Sequence, residues 1–282
     1  MRILALDIGG TAVKYGMFND KDLTFGQFPV KDSDGHEDIP KSICSFVKEH
    51  MPDLVAISTP GPFDYESGTS LMKHKLLSMY GISLRTELKK VAPSARVTFV
   101  HDSTSFAIGV LNQHPELKDK NIAVIMLGTG LGYSFLQKGK VLLNEKQTPL
   151  NPLWNRPFKD GISEDYVSTR VLIEGANKCG LNADNVLEIA IAARNGDEKL
   201  LNLFYEYGKN LGLCVMNAQE KDAFTDVVIG GQISLSWELM KDGFESVCKT
   251  SYSLVEDPDK CAVYGLLEFA HNGKDNYCIY EV

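Results

Sequence analysis

Two glycine-bearing turns carry the residue types that could handle a phosphate. The first brings together Asp7, Gly9, Gly10, Thr11 and Lys14. A carboxylate, two glycines and a hydroxyl in one turn suit a phosphate and its metal. Backbone amides can cradle phosphate oxygens, Thr11 can donate to one, and Asp7 can hold a hydrated Mg2+. The same residues also suit a plain hairpin bend, with Gly9 and Gly10 easing a tight turn whose amides face outward. The second turn holds Gly128, Thr129, Gly130 and Gly132. At one constant offset Gly10 and Thr11 fall on Gly128 and Thr129, and Tyr15 falls on Tyr133. Two such hairpins imply two related halves, each presenting a phosphate-facing turn to a shared cleft. A third pair, Gly230 and Gly231, suits either a base or ribose packed on bare backbone or a strand-to-helix turn of unusual dihedrals.

A fourth element is Asp102, at the end of an apolar run. Phosphoryl transfer to an alcohol benefits from a carboxylate that accepts the hydroxyl proton and aims the oxygen. The competing role is a helix N-cap, which Ser103 or Thr104 could also fill. Two other phosphate motifs fail. A Walker A loop needs Gly-Lys followed by Ser or Thr, and the pairs at Gly139, Gly208 and Gly273 lack it. A Rossmann loop needs a helix directly after its glycines, whereas the residues after Gly132 read as a strand.

The elements that must position these residues alternate. Ile3 to Leu6, Val13 to Phe18, Leu23 to Val30, Leu54 to Ser58 and Arg96 to Val100 read as strands, and Ile39 to His50 recurs at helical spacing. Ser83 predicts the N-cap of a helix to Val91. Ser103 to Gln113 reads as a helix, and Ile122 to Leu127 is the most apolar strand. Asn144 to Lys159, with three prolines, reads as a loop. Helices are expected over Ser163 to Lys178, Val186 to Arg194, Glu198 to Gln219, Trp237 to Cys248, and from Pro258 to near His271; Asp226 to Ile229 and the tail around Tyr277 and Ile279 read as strands. This is an α/β pattern.

The 282 residues, 44% hydrophobic and 23% charged, are enough for a large core and predict two domains. A net charge of -8 disfavours nonspecific nucleic-acid or acidic-membrane partners. Six scattered cysteines without a C-x-x-C pair indicate neither a zinc knuckle nor a disulfide framework. No signal peptide and no membrane-length apolar run stand out, so a cytoplasmic protein with free thiols is expected.

Together these motifs resemble the ROK family of sugar kinases and sugar-responsive repressors, in the superfamily of sugar kinases, actin and heat-shock ATPases. Asp7, Gly9, Gly10, Thr11 and Lys14 are similar to its first phosphate motif, Gly128, Thr129, Gly130 and Gly132 to its second, and Gly230 with Gly231 to its adenosine motif. The run Thr59, Pro60, Gly61, Pro62 resembles its sugar-side loop, and His101 with Asp102 falls where the family has Asn-Asp, the Asp being its catalytic base. The resemblance implies two ribonuclease H-like, actin-like ATPase domains around a central cleft: residues 1–112, with the helix at about 261–282 packing back, and residues 113–260. It implies transfer from ATP with Mg2+, held by Asp7 directly or through water, to a hexose or hexose-derivative hydroxyl, usually the 6-hydroxyl. Substrate contacts would come from Pro60, Gly61, His101 and Glu164, and a homodimer is common. Three departures stand out. No Cys lies between Cys44 and Cys179 and no His between His114 and His271, so the family's zinc loop is absent. Its Gly-His sugar motif is not recognisable over Asn144 to Asp160, and His101 replaces an Asn. Glu164 could equally be a surface helix residue, and Trp154 either stacks on a sugar or anchors its loop. These departures keep open a non-catalytic sugar or nucleotide binder derived from such a kinase. A repressor would need a DNA-binding domain ahead of the first motif, where this sequence has Met1 to Ala5.

Overall fold

The computed structural model describes residues 1–10, 12–30 and 38–280, so Thr11 lies outside the described residues. The chain forms two compact units, one of Met1–Glu116, Gly139–Leu150 and Lys260–Val282, the other of Leu117–Lys138 and Asn151–Asp259.

In the first unit Arg2–Ile8, Ala12–Asn19 and Asp22–Pro29 form an antiparallel meander. Leu54–Thr59 pairs parallel with Arg2–Ile8, and Arg96–His101 pairs parallel with Leu54–Thr59. Every residue of Leu54–Thr59 is buried, as expected of a parallel strand covered on both faces. Leu4, Leu6, Val55 and Ile57 share a core with Ile39 and Ile43 of helix Asp38–His50 and with Leu84 and Leu88 of helix Leu84–Val91. Ser83 caps the latter, its hydroxyl accepting from the Thr86 amide. Helix Cys261–Asn272 packs on helix Asp102–Gln113 and on the strands. The two helices approach closely enough that a Cβ on Gly109 would strike the Cys261 carbonyl. Strand Cys278–Tyr280 pairs parallel with Lys140–Leu143.

The second unit reuses the plan. Asn121–Leu127 and Leu131–Gln137 make an antiparallel hairpin, and Asp226–Gly230 and Ser251–Leu254 extend it in parallel. Helices Glu198–Gln219 and Trp237–Val247 cover it, joining Phe204, Leu211, Met240 and Phe244 to Ile125, Leu127 and Ile229 in one core.

Three expected elements differ. The helix expected from Ser163 is a single 3-10 turn, Ser163–Asp165, separated from helix Thr169–Cys179. Ser168 is extended there, and the Thr169 amide donates to the Gly128 carbonyl at 3.0 Å, so a tertiary contact resets the helix start. The last helix begins at Cys261 rather than at Pro258. The loop after Asn144 contains a short antiparallel pair, Pro157–Phe158 with Gly161–Ile162. No helix among the described residues is long and apolar enough to cross a membrane.

Candidate active site

Three parallel strands of the first unit end at one sheet edge, and their registers place Asp7 beside Ser58 and Thr59 beside His101. The Ser58 hydroxyl donates to Asp7 Oδ1 at 2.5 Å. Asp7 Oδ2 accepts no hydrogen bond among the described residues. Lys14 faces Asp7 across the hairpin. The Asp7 carboxyl is pushed up from its ordinary 3.8 to about 6. Burial is the main cause and the Asp102 charge adds to it, while the Ser58 bond and Lys14 pull the other way. A desolvated carboxylate with one open oxygen suits a cation.

His101 takes the cap position of helix Asp102–Gln113, its Nδ1 accepting from the Ser103 amide at 3.3 Å. Asp102 is therefore the first helical residue and not the cap. His101 Nδ1 lies 2.9 Å from Asp102 Oδ1 and 2.8 Å from Ser103 Oγ. A proton on Nδ1 would be given to Asp102, and an unprotonated Nδ1 accepts from Ser103. The Ser103 amide also donates to Asp102 Oδ1 at 2.6 Å. Both contacts to the Asp102 carboxylate fall on Oδ1, and Oδ2 accepts none among the described residues. Burial works against ionisation of Asp102, but the His101 contact, the Lys75 charge and the Ser103 amide outweigh it and hold the carboxyl below its usual range.

The sugar-side residues expected from sequence lie around His101. Its ring stands 6.0 Å from the ring of buried Tyr65, and its Cδ2 and Nε2 edge lies 3.8 Å from where a Cβ on Gly61 would stand. Pro60 and Gly61 are half-buried. Thr59 Oγ1 is buried without a partner among the described residues, an orphaned donor beside this edge.

In the second unit the Gly128 amide donates to the Gly130 carbonyl at 3.2 Å. The Thr169 hydroxyl joins its amide on the Gly128 carbonyl at 2.9 Å. The Leu131 amide donates to Glu164 Oε2 at 2.9 Å, and a Cβ on Gly130 would strike that carboxylate. Glu164 is thus fastened to the glycine turn and is not a surface helix residue. Gly230 sits beside Met126 in parallel register. Gly231 has φ 88°, and a Cβ there would strike the Leu127 backbone, so the fold itself demands glycine.

The Gly9 amide is used inside its own turn, donating to the Ala12 carbonyl at 3.0 Å. The amides of Gly10, Thr129 and Gly130 have no partner among the described residues. Neither Gly10 nor Gly128 has positive φ, and nothing lies within 4 Å of a Cβ built on either. A phosphate fits such a place: unpaired amides and open space where a side chain could have stood.

The structure therefore gathers Asp7, Lys14, Pro60, Gly61, His101 and Asp102 at one edge of the first unit. It gathers Gly128, Thr129, Gly130, Gly132, Glu164, Gly230 and Gly231 around one strand end of the second. Sequence reasoning missed Ser58, Lys75 and Thr169. Ser58 carried a signal, a hydroxyl ending an apolar run of four residues; Lys75 and Thr169 carried none.

A family model described as the ROK family matches residues 3–145. Over 238 residues the chain is 29% identical to an N-acetyl-D-glucosamine kinase of Vibrio atlanticus, covering 75% of this chain and 78% of that one. It is 27% identical to an N-acetylmannosamine kinase of Vibrio vulnificus, covering 84% of each. The crystal structure of a ROK family glucokinase from Streptomyces griseus in complex with glucose and AMPPNP superposes with a TM-score of 0.79 at 20% identity, covering 97% of this chain and 100% of that one.

Proposed function

The chain belongs to the ROK family and is a carbohydrate kinase, and from that premise we propose that it transfers the γ-phosphoryl group of ATP to the 6-hydroxyl of a hexose or N-acetylhexosamine, with Asp102 as general base. The observation that carries the reading is the state of Asp102, an ionised carboxylate whose Oδ1 accepts from the Ser103 amide and whose Oδ2 is open. The open oxygen is the one that would accept the sugar hydroxyl proton. Because its pKa is held low, Asp102 is a weak base. It suits a loose phosphoryl-transfer transition state, in which aiming the hydroxyl oxygen matters more than early proton removal.

Bound Mg2+ would neutralise charge on the nucleotide phosphates. Asp7 is the residue to hold it, directly or through water, because Ser58 and Lys14 only partly offset the burial of its ionised form. The amides of Gly10, Thr129 and Gly130, with the hydroxyls of Thr11 and Thr129, would donate to phosphate oxygens, and Lys14 would add positive charge. Gly9 and Gly132 shape the turns, and Gly230 with Gly231 offers bare backbone to the adenosine. On the sugar side, Pro60 and Gly61 would form the wall, while His101 Nε2 and Glu164 Oε1 would meet hydroxyls. The names of the Vibrio relatives favour an N-acetylhexosamine.

The test is ATP turnover across a panel of hexoses and N-acetylhexosamines, with wild type and Asp102→Asn. The variant is expected to lose at least ~10²-fold in turnover, the scale of general-base catalysis, while binding ATP as before. Unchanged turnover would refute the role of Asp102.

A further inference from the structure

The zinc loop that the family resemblance implies does not fit this chain. Residues 115–178 contain neither Cys nor His, and among the described residues no group of three His, Cys, Asp or Glu side chains could hold a metal. The stretch is nevertheless tied down, by a buried charge pair. The Asp222 side chain is 3% exposed and that of Arg156 is 11% exposed. Arg156 Nη2 donates to Asp222 Oδ2 at 3.1 Å and to the Asn151 carbonyl at 2.9 Å. Nε reaches the Pro152 carbonyl and Nη1 the Asn217 carbonyl. Asp222 is also satisfied by the Tyr133 hydroxyl at 2.6 Å and by Asn151 Nδ2 at 2.7 Å. The guanidinium lies 5.3 Å from the Tyr133 ring centroid.

The cluster leads to the glycine turn in two short steps. The Arg156 carbonyl accepts from the Ser163 amide at 2.9 Å, and the Trp154 carbonyl accepts from the Glu164 amide at 3.0 Å. Glu164 then accepts from the Leu131 amide. The guanidinium fork can bind several carbonyls and a carboxylate at once from one fixed plane, much as a metal gathers ligands. We propose that the Arg156–Asp222 pair, in place of a metal, fastens the Asn151–Ser163 segment to this unit and thereby places Glu164 on the Gly128–Gly132 turn. Arg156 is a positioning residue in this scheme, and it touches no substrate.

Amide hydrogen exchange tests it on the whole protein. In Arg156→Met the amides of Ser163, Glu164 and Leu131 should exchange at least about tenfold faster, while those of Ile122 to Ile125 keep their protection, because the change is a local opening. Arg156→Lys should restore part of the protection, since it returns the charge but not the fork. If Arg156→Met does not fold, Tyr133→Phe removes one donor from Asp222 and should quicken the same amides by a smaller factor. Wild-type exchange at Glu164 and Leu131 in the variants that fold would overturn the proposal. So would a stoichiometric zinc ion in the purified protein whose removal loosens those amides. The kinetic arm rests on the kinase reading: in Arg156→Lys the sugar KM and the ATP KM should both rise, because Glu164 both meets the sugar and clasps the turn assigned to the phosphates. A wild type that turns over no sugar would remove that reading and leave the exchange arm intact.

Discussion

Replacing Asp7 with Asn should make the protein without ligands more stable at neutral pH while disabling it. Burial raises the Asp7 carboxyl from 3.8 to about 6, so the folded state holds this proton more tightly than the unfolded chain does. Below pH ~4 the group is protonated in both states and costs nothing. As pH rises from about 4 to about 6 the unfolded chain gives up this proton while the folded protein keeps it, so stability falls, and above about 6 the full cost of the desolvated carboxylate is in place. At 1.36 kcal/mol per pH unit the loss comes to about 3 kcal/mol. That is an upper figure, because solvent reaches part of the side chain and screens it. Asn keeps an oxygen for the Ser58 hydroxyl and carries no charge. Urea unfolding of both proteins from pH 4 to 8 is the assay. The variant should match wild type at pH 4 and exceed it by about 2 to 3 kcal/mol at pH 7.5. Mg2+ with nucleotide should erase the difference by stabilising only the wild type. A variant that is equally stable at every pH, or less stable at pH 7.5, would refute the claim that ionised Asp7 is held at a cost until a cation arrives.

Gly10→Ala and Gly128→Ala meet no neighbour and should leave stability within about 0.5 kcal/mol. Each should weaken nucleotide binding at least about tenfold, or ~1.4 kcal/mol, because the added methyl enters the place proposed for the phosphate; titration calorimetry reads this directly, and unchanged affinity would show plain turns. Gly231→Ala should behave oppositely, losing about 4 kcal/mol or more of stability, since the methyl meets the Leu127 backbone at positive φ. A stable Gly231→Ala with weakened adenosine binding would assign that glycine to the ligand instead.

Much of the architecture could be read along the chain because its signals are local. Leu54–Thr59 is an unbroken apolar run and is buried throughout. Ser83 announces its helix by the side-chain oxygen that caps it. What could not be read depends on partners remote in sequence. The break before Thr169 exists because a carbonyl forty-odd residues earlier takes its amide, whereas the local pattern alone favours one continuous helix. The cap of the helix after Arg96–His101 went to His101, since an imidazole nitrogen can accept an amide as well as the carboxylate next to it. The low pKa of Asp102 draws on Lys75, an exposed lysine with no periodicity to mark it. Glu164 offered two readings in sequence, a surface residue or a sugar contact. The structure adds a third role, the clasp of a glycine turn, which leaves one carboxylate oxygen for a ligand.

The glycines separate structure from chemistry more sharply than their spacing did. At Gly231 the Leu127 backbone forbids a side chain, whereas a Cβ on Gly130 would displace the Glu164 carboxylate and one on Gly132 would press Met126 at 3.0 Å. The identity of Gly231 is thus explained within the protein. Gly10 and Gly128 have no such neighbour and no unusual backbone angle. Glycine in an exposed turn that needs neither costs conformational entropy without any return in folding. These two positions also coincide at the sequence offset that lays Tyr15 on Tyr133. On the proposed reading, these two glycines let phosphate oxygens approach the backbone beside the unpaired amides of Gly10, Thr129 and Gly130. The Gly10→Ala and Gly128→Ala pair is therefore the measurement on which the phosphate assignment stands, independent of Asp102 and of the identity of the sugar.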